Sequence, residues 1–594
     1  MNFILLATFL IILTTIVYAI FMWTQRGLKS PIQPGIGLAR RSYLYTVCAS
    51  SLVMTSVGGF FIIMFLMESL FGDHQLTSSN TPLAIGISLL IIGLPLWVLH
   101  WFLLHRHVKA MPVERSSTLR KAYLYIVMGI TLSLLIASAL NILEWVFRIE
   151  AFSAYAWGSI LICSLVWIYH WRICEDEIAV TMEILDIRHL YIYITSFVAL
   201  SMIFFGFSQV LRLILLELYD LLLGTQIMLK GPLNATVLGS PMKSALSLTI
   251  IGSTAWILHW LYMSRNMLHS NLRIMYLYTI TGLIGPTIFV FSLVYMINKI
   301  IIWMIGAHSY QTSNSYFLFI PQHLSLIAVS VCLWYIHKQT LIKTHQSIHS
   351  SYYYILSFIG LMTVIFSISL LIQVMITLIS DSSVALVAGH NPWAKSLSLS
   401  IALGIIGMPL WIHNWALLER RIRTIGISER QSISRRIYVF GLMSLGVLSF
   451  ILSTSTFLFF VLRDLFDTGM SVDTLSDAKY AITIFLIVSI FLPYHWLIYK
   501  RDSRTSKFSP IPQSKNKIKN VYMLSSDNKQ EAIQYFEEAL GFRINLLTWV
   551  DPEAGSYNLT RKQCQLIADQ ISRSQGRNVL ILPTEATVRI MSYD

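Results

Sequence analysis

The chain has 594 residues, 55% of them hydrophobic and only 12% charged, with a net charge of +14. Ordinary soluble domains carry roughly 25% charged residues, and a mean hydropathy of +0.65 over this length exceeds what a single buried core accounts for. These figures exclude a chain built from soluble domains alone. The five cysteines, Cys48, Cys163, Cys174, Cys332 and Cys564, form no C-x-x-C pair, so neither a disulfide framework nor a zinc site is expected.

The first apolar block runs from about Phe3 to Trp23. It lacks a basic leader and a small-residue cleavage site, and Arg26 and Lys29 follow it. Residues 1–28 therefore read as an uncleaved transmembrane anchor with its N-terminus outside.

A two-helix pattern then recurs six times. Each copy opens on an aromatic-x-aromatic pair: Tyr43/Tyr45, Tyr123/Tyr125, Tyr191/Tyr193, Tyr276/Tyr278, Tyr352/Tyr354 and Tyr438/Phe440. Each closes on tryptophan and histidine: Trp97, His100, Trp101; Trp167, His170, Trp171; Trp256, His259, Trp260; Trp334, His337; Trp411, His413, Trp415; His495, Trp496. Between opener and closer lie apolar blocks of about 20 residues, enough to cross a ~30 Å hydrocarbon layer. Backbone groups find no water there, so the blocks must be helices. Twelve spans follow, at 44–69, 82–104, 122–147, 154–173, 190–218, 242–262, 276–305, 316–337, 352–379, 396–418, 438–466 and 480–499. With the anchor, the expected fold is an all-α polytopic membrane protein of about 13 transmembrane helices.

Successive openers stand 80, 68, 85, 76 and 86 residues apart, so odd hairpins are the longer ones. The first and fifth closers also match best, Gly93-Leu-Pro95-Leu-Trp97 against Gly407-Met-Pro409-Leu-Trp411. Two hairpins are therefore expected to form a four-helix module, giving three modules at 41–175, 186–340 and 350–500. Each hairpin opens and closes on one membrane face, so the repeats are parallel rather than inverted. The loops on that face carry most of the arginine and lysine, including Arg106, Lys109, Arg115, Arg120, Lys121 and the run from Arg420 to Arg436. The positive-inside rule makes this face cytoplasmic, and with it the C-terminus. The charge is thus a topology signal, and no nucleic-acid partner is expected.

Composition changes near Lys500. Residues 501–519 form a basic linker suited to anionic headgroups. Residues 520–594 read as a small cytoplasmic domain in the order βαβαββ. Its strands are expected at 521–524, 544–550, 579–582 and 587–591. A first helix with an apolar stripe from Ala532 to Leu540 stops at Gly541, and a second runs from Thr560 to about Arg573. Its expected role is docking a cytoplasmic protein partner or sensing.

The aromatic openers, the Pro-Leu-Trp-x-x-His-Trp-like closers and the four-span modules resemble an uncharacterised family of bacterial multi-pass membrane modules, a domain of unknown function. The resemblance covers roughly residues 41–500. It implies a bacterial plasma (inner) membrane and brings no catalytic residues.

Two side-chain sets are candidate sites. The closers place Trp at i and i+4 on one helix face with His beside them. They read first as an interfacial aromatic belt, and alternatively as histidines facing one another across a b-type haem. The second set is an intramembrane polar cluster. Glu144, Arg212 and Gln373 stand at offset 21 from their openers; Glu68, Arg148 and Arg463 stand at offset 25; Glu217 and Asp464 stand at offset 26. Such groups inside a membrane face protein or a water-filled cavity, or else snorkel to the headgroups. Glu144 is expected to pair with Arg148, Arg212 or both. The run Glu175, Asp176, Glu177 reads as a solvated helix cap. No P-loop, dinucleotide, zinc-protease or serine-hydrolase motif is present. Catalytic and metal-binding residues are therefore not expected. A structural or regulatory membrane protein is the expected class, with a transporter built of parallel repeats second and a haem-bearing redox protein third.

Overall fold

A computed structural model describes residues 36–72, 80–110, 117–177, 182–223, 239–265, 270–306, 312–344, 350–380, 392–430, 432–467 and 472–508, and then 520–525, 544–548, 561–573, 578–583 and 588–593, with Arg115, Gly469 and Glu537 besides. The expected anchor, the basic linker beyond Phe508 and the helix at 532–540 lie outside the described residues, apart from Glu537.

Each of the twelve expected spans is a helix. In chain order they are α1 (Ile36–Phe71), α2 (Thr81–Ala110), α3 (Thr118–Val146), α4 (Ala154–Asp176), α5 (Met182–Leu223) and α6 (Ser240–Met263), then α7 (Asn271–Met304), α8 (Phe319–Thr344), α9 (Ser350–Ser380), α10 (Pro392–Ile425), α11 (Ile433–Asp467) and α12 (Lys479–Phe508). Eleven of them are long and apolar enough to cross a membrane. The exception, α4, has 23 residues, among them Trp157, Trp167, Tyr169, His170 and Trp171, whose polar atoms lower its hydropathy. Pro95, Pro409 and Pro493 sit inside α2, α10 and α12. Two stretches widen to π-helix, Ile257–Met263 ending α6 and Thr279–Ile284 within α7.

The hairpins α1–α2, α3–α4, α5–α6, α7–α8 and α9–α10 each pack as a pair. The first helix of each of the first four hairpins also packs on both helices of the next: α1 on α3 and α4, α3 on α5 and α6, α5 on α7 and α8, α7 on α9 and α10. Packing therefore runs serially, each hairpin against its chain neighbours. Odd hairpins close especially tightly. Gly93, Gly252 and Gly407 each stand four residues before the first closing tryptophan. At each, an added Cβ would lie within 3.0 Å of the opener helix: by Met54 and Thr55, by Met202 and Ile203, and by Thr363 and Val364. Small residues that admit a neighbouring backbone are how membrane helices pack without a hydrophobic driving force between them. Even hairpins carry Cys163 and Ser330 at this position.

The chain divides into two compact units, Met1–Trp496 and Leu497–Asp594. Within the second, β1 (Asn520–Ser525), β2 (Asn545–Thr548), β3 (Asn578–Pro583) and β4 (Val588–Tyr593) form one sheet in the order β2-β1-β3-β4. β1 pairs in parallel with β2 and β3, and β4 runs antiparallel to β3. The register sets Val521 opposite Val579 and Met523 opposite Ile581. That face packs on Cys564, Ile567 and Ile571 of α13 (Arg561–Arg573). The four strands and this helix lie where the sequence puts them, within two residues or so at each end.

Candidate functional site

The aromatic openers and closers meet at one end of the hairpins and build the same joint repeatedly. The third residue after each first closing position, His100, His170, His259, His337, Asn414 or His495, bonds back to the carbonyl four residues earlier. The partners are Leu96, Val166, Ala255, Leu333, Leu410 and Phe491, at 2.7–3.0 Å. A carbonyl only accepts, so each histidine holds its proton on Nδ1 and presents Nε2 as an acceptor. In the fifth hairpin the joint is made by Asn414, and His413 is exposed. His170, His259, His337 and His495 are at most 1% exposed.

The first closing tryptophan reaches the first tyrosine of the next hairpin. Trp167, Trp256 and Trp334 donate through Nε1 to the hydroxyls of Tyr191, Tyr276 and Tyr352 at 3.0, 3.3 and 2.8 Å. Tyr191 then donates to Nε2 of His259 at 3.3 Å, completing a Trp–Tyr–His chain. The rings of Tyr123 and His170, and of Tyr276 and His337, lie 5.9 and 6.0 Å apart, but the Tyr123 hydroxyl and the Nε2 atoms of His170 and His337 make no hydrogen bond there. Second tyrosines join the ladder: Tyr45–Tyr123, Tyr125–Tyr191, Tyr193–Tyr276 and Tyr354–Tyr438 have ring centres 5.3–5.8 Å apart. Such aromatic pairs contribute roughly 0.5–1.5 kcal/mol each beyond area burial.

An arginine completes the joint. Arg120, Arg188, Arg273 and Arg435 each stand three residues before an opening tyrosine, as does Arg40, so the full opener is Arg-x-x-Tyr-x-Tyr; the fifth has His349. Arg120, Arg273 and Arg435 lie over Trp101, Trp260 and Trp415 at 5.3, 4.5 and 5.7 Å. Arg120 and Arg435 also donate to the hydroxyls of Tyr45 and Tyr354 at 3.4 and 3.5 Å. Arg188, Arg273 and Arg435 find Glu175, Ser264 and Glu419, each four residues after a second closing tryptophan, at 2.7, 3.1–3.2 and 3.2 Å. Arginine suits this place because its planar fork stacks on indole while donating in plane.

The first joint is the most charged. Arg120, fully buried, grips Glu177 with two bonds of 2.6 and 2.8 Å, and Lys121 adds one of 3.2 Å. The acidic run is thus no solvated cap as a whole: Glu177 is 8% exposed, and Glu175 accepts from Arg188 and Trp171. Burial pushes the Glu177 carboxyl up, but the bonds and charge of Arg120 and Lys121 outweigh it and hold it below its ordinary 4.5.

The remaining closers divide by exposure. Trp97, His100, Trp171, Trp411 and Trp415 are half-buried, while Trp496 is 51% exposed. Trp101 donates to Tyr169 at 2.6 Å. At the opposite end of the helices, Arg212 turns to Gln209 at 2.7 Å, and Gln373 to Ser369 at 3.1 Å. Arg463 bonds Asp464 and Asp477, each at 2.6 Å. Glu68, Glu144 and Arg148 are half-buried, and Glu217 is exposed. Among the described residues no ion pair joins Glu144 to Arg148 or Arg212. For Arg148 the reason is local: α3 ends at Val146, and Arg148 adopts a left-handed φ of 57°, so the i, i+4 relation is never formed; Arg212 bonds to Gln209 on its own helix. Also among the described residues, no group of three or more His, Cys, Asp or Glu could hold a metal ion.

Among the described residues, eleven helices long and apolar enough to cross a membrane, joined by buried aromatic–arginine seams, fit a multi-pass membrane protein. A family described as a domain of unknown function, DUF5671, matches residues 41–154 and again residues 350–490. Comparison with curated proteins and with solved structures gives no match.

Proposed function

We propose that this chain is a structural or regulatory membrane protein, a row of six parallel hairpins carrying a C-terminal domain that docks or senses a cytoplasmic protein. One observation carries the reading. Among the described residues, recurring polar side chains of openers and closers bond to one another within and between neighbouring hairpins, as in Trp167–Tyr191–His259 and Arg435–Glu419. They are spent on holding neighbours together. A transporter built of parallel repeats would instead aim recurring polar groups into a shared pathway. The test is solute and ion flux in proteoliposomes. Liposomes with the protein should be as tight as empty ones, and selective, saturable flux would sink the reading.

Within the row, the four-helix module is supported as the repeating piece. The two family matches begin at residues 41 and 350, where the first and third modules open, and the close glycines mark odd hairpins only. The location proposed is a bacterial inner membrane with the arginine-rich joint face inside. Reporter fusions after Lys109, Arg423 and Asp594 should report cytoplasm, and one within residues 73–79 the outside. The reverse pattern overturns this orientation.

A further inference from the structure

Tyr191 stands at the end of an unbroken line of oxidisable rings. Trp171, half-buried at the joint end of α4, has its ring 5.2 Å from that of Trp167. Trp167 donates to the Tyr191 hydroxyl of α5 at 3.0 Å. Tyr191 donates in turn to Nε2 of His259 on α6 at 3.3 Å, and the Nδ1 proton of His259 goes to the Ala255 carbonyl at 2.8 Å. Trp167, Tyr191 and His259 are all buried. Holding helices together asks only for some bond at each place. Here a buried phenol is aimed at the free lone pair of a neutral imidazole, so that the phenol can lose an electron and a proton together.

The corresponding tyrosines of the other hairpins lack this proton path. Among the described residues, the Tyr123 hydroxyl and Nε2 of His170 find no hydrogen-bond partner, and neither does Nε2 of His337 beside Tyr276. In the fifth hairpin the base is replaced by Asn414, which bonds the same backbone carbonyl but has no ring nitrogen to take a proton. In the sixth, the Tyr438 hydroxyl meets Ser357 at 3.1 Å.

We propose that Trp171, Trp167, Tyr191 and His259 form a one-electron relay, which draws an oxidising equivalent from the joint face inward and holds it as a neutral phenoxyl radical on Tyr191. The oxidant is a peroxyl radical at the headgroup boundary. It takes an electron from Trp171 and a proton from water, and becomes a hydroperoxide. Trp167 refills Trp171, and Tyr191 refills Trp167. The Tyr191 O–H bond breaks as an N–H bond forms on Nε2 of His259. An oxidised phenol is a strong acid and persists only where its proton has an acceptor. The imidazolium so made has both N–H groups bonded, one to the Ala255 carbonyl and one to the phenoxyl oxygen. A one-electron reductant of the ascorbate class, reaching Trp171, reverses the sequence: the electron returns along the rings, and the proton returns from Nε2 to the phenoxyl oxygen. The seam bonds described above then serve twice, as a joint and as a place to hold a radical away from lipid.

The test uses the full chain in lipid nanodiscs, oxidised by a light flash with ruthenium tris-bipyridine and persulfate and frozen for electron paramagnetic resonance. 3-Fluorotyrosine replacing Tyr191 keeps the hydroxyl and should add a fluorine splitting to the tyrosyl signal. The same label replacing Tyr276 should add none. His259→Asn is the second arm. Asparagine keeps the carbonyl bond at this place, as Asn414 does, so the variant should melt near the parent. Without the ring nitrogen, its tyrosyl yield should fall severalfold and a tryptophanyl signal should take its place. Absence of a tyrosyl signal, a signal without fluorine splitting from position 191, or an undiminished yield in His259→Asn would overturn the relay and leave these bonds as a seam alone. Should His259→Asn fail to fold, the fluorine splitting decides by itself.

Discussion

At the residue scale, Glu177 is the group whose removal should be felt most. It is the shared carboxylate of Arg120 and Lys121, all three buried. Stranding such partners typically costs about 3–5 kcal/mol, so Glu177→Gln should melt well below the parent in detergent at neutral pH. The sign of the pH effect follows from the carboxyl's depressed folded value. Its contribution is complete above the ordinary 4.5 and is lost as pH falls through the lower folded value. The parent should therefore lose stability on the acid side more steeply than Glu177→Gln. Equal melting points at neutral pH, or parallel acid limbs, would contradict the pair's role. The sequence alone shows a tyrosine pair and a tryptophan–histidine cluster at every joint, because both are rare types at fixed spacing. It hides the partnership between them, since each such bond joins two different helices. The arginine three residues ahead reads from sequence as loop charge, and the fifth closer's working residue is Asn414 rather than His413 because Asn414 is the one that bonds the carbonyl four residues earlier.

At the element scale, the twelve spans were legible because hydrocarbon thickness dictates their length. Lost to the sequence were the α3 terminus before Arg148 and the π-helical turns at Ile257–Met263 and Thr279–Ile284, since these depend on packing rather than on hydropathy. The alternation of longer and shorter hairpins was legible as spacing, and the structure supplies a physical correlate in the glycine contacts of odd hairpins. Gly407 lies where a Cβ would sit 2.9 Å from Thr363 and 3.0 Å from the Val364 nitrogen. Overpacking of this kind typically costs about 1–3 kcal/mol. Gly407→Ala should lower the melting point, and Gly407→Leu should lower it further. Ser330→Ala, at the same register of an even hairpin, should cost less than either. A Gly407→Ala protein as stable as the parent would mean that α9 and α10 can separate freely, and that the odd hairpins owe their closeness to something else.

At the scale of the whole molecule, the membrane row and the C-terminal unit obey different rules, and the second can be tried alone. In residues 520–594 a sheet face of Val521, Met523, Val579 and Ile581 is covered by Cys564, Ile567 and Ile571 of α13. A domain of this size buries only about 60% of the surface its unfolded chain exposes, less than larger domains do, so whether it folds unaided is a real question. Cys564 is its single cysteine and therefore a clean reporter. The side chain is fully buried, and burial pushes the thiol up from its ordinary value, which suppresses the reactive thiolate. Expressed separately, the domain should give one sigmoidal thermal transition by circular dichroism. Below that transition Cys564 should react with a thiol reagent at least tenfold more slowly than in denaturant, a protection equivalent to about 1.4 kcal/mol against local opening. Reaction at the denatured rate, together with a featureless melt, would show that this core closes only when held by the membrane part or by a partner. Protection without a sharp transition would place the marginal stability in the sheet edge rather than around α13. Only β3 and β1 carry both core-facing residues and neighbours on either side, so the packing of α13 on those two strands is what the thiol reads.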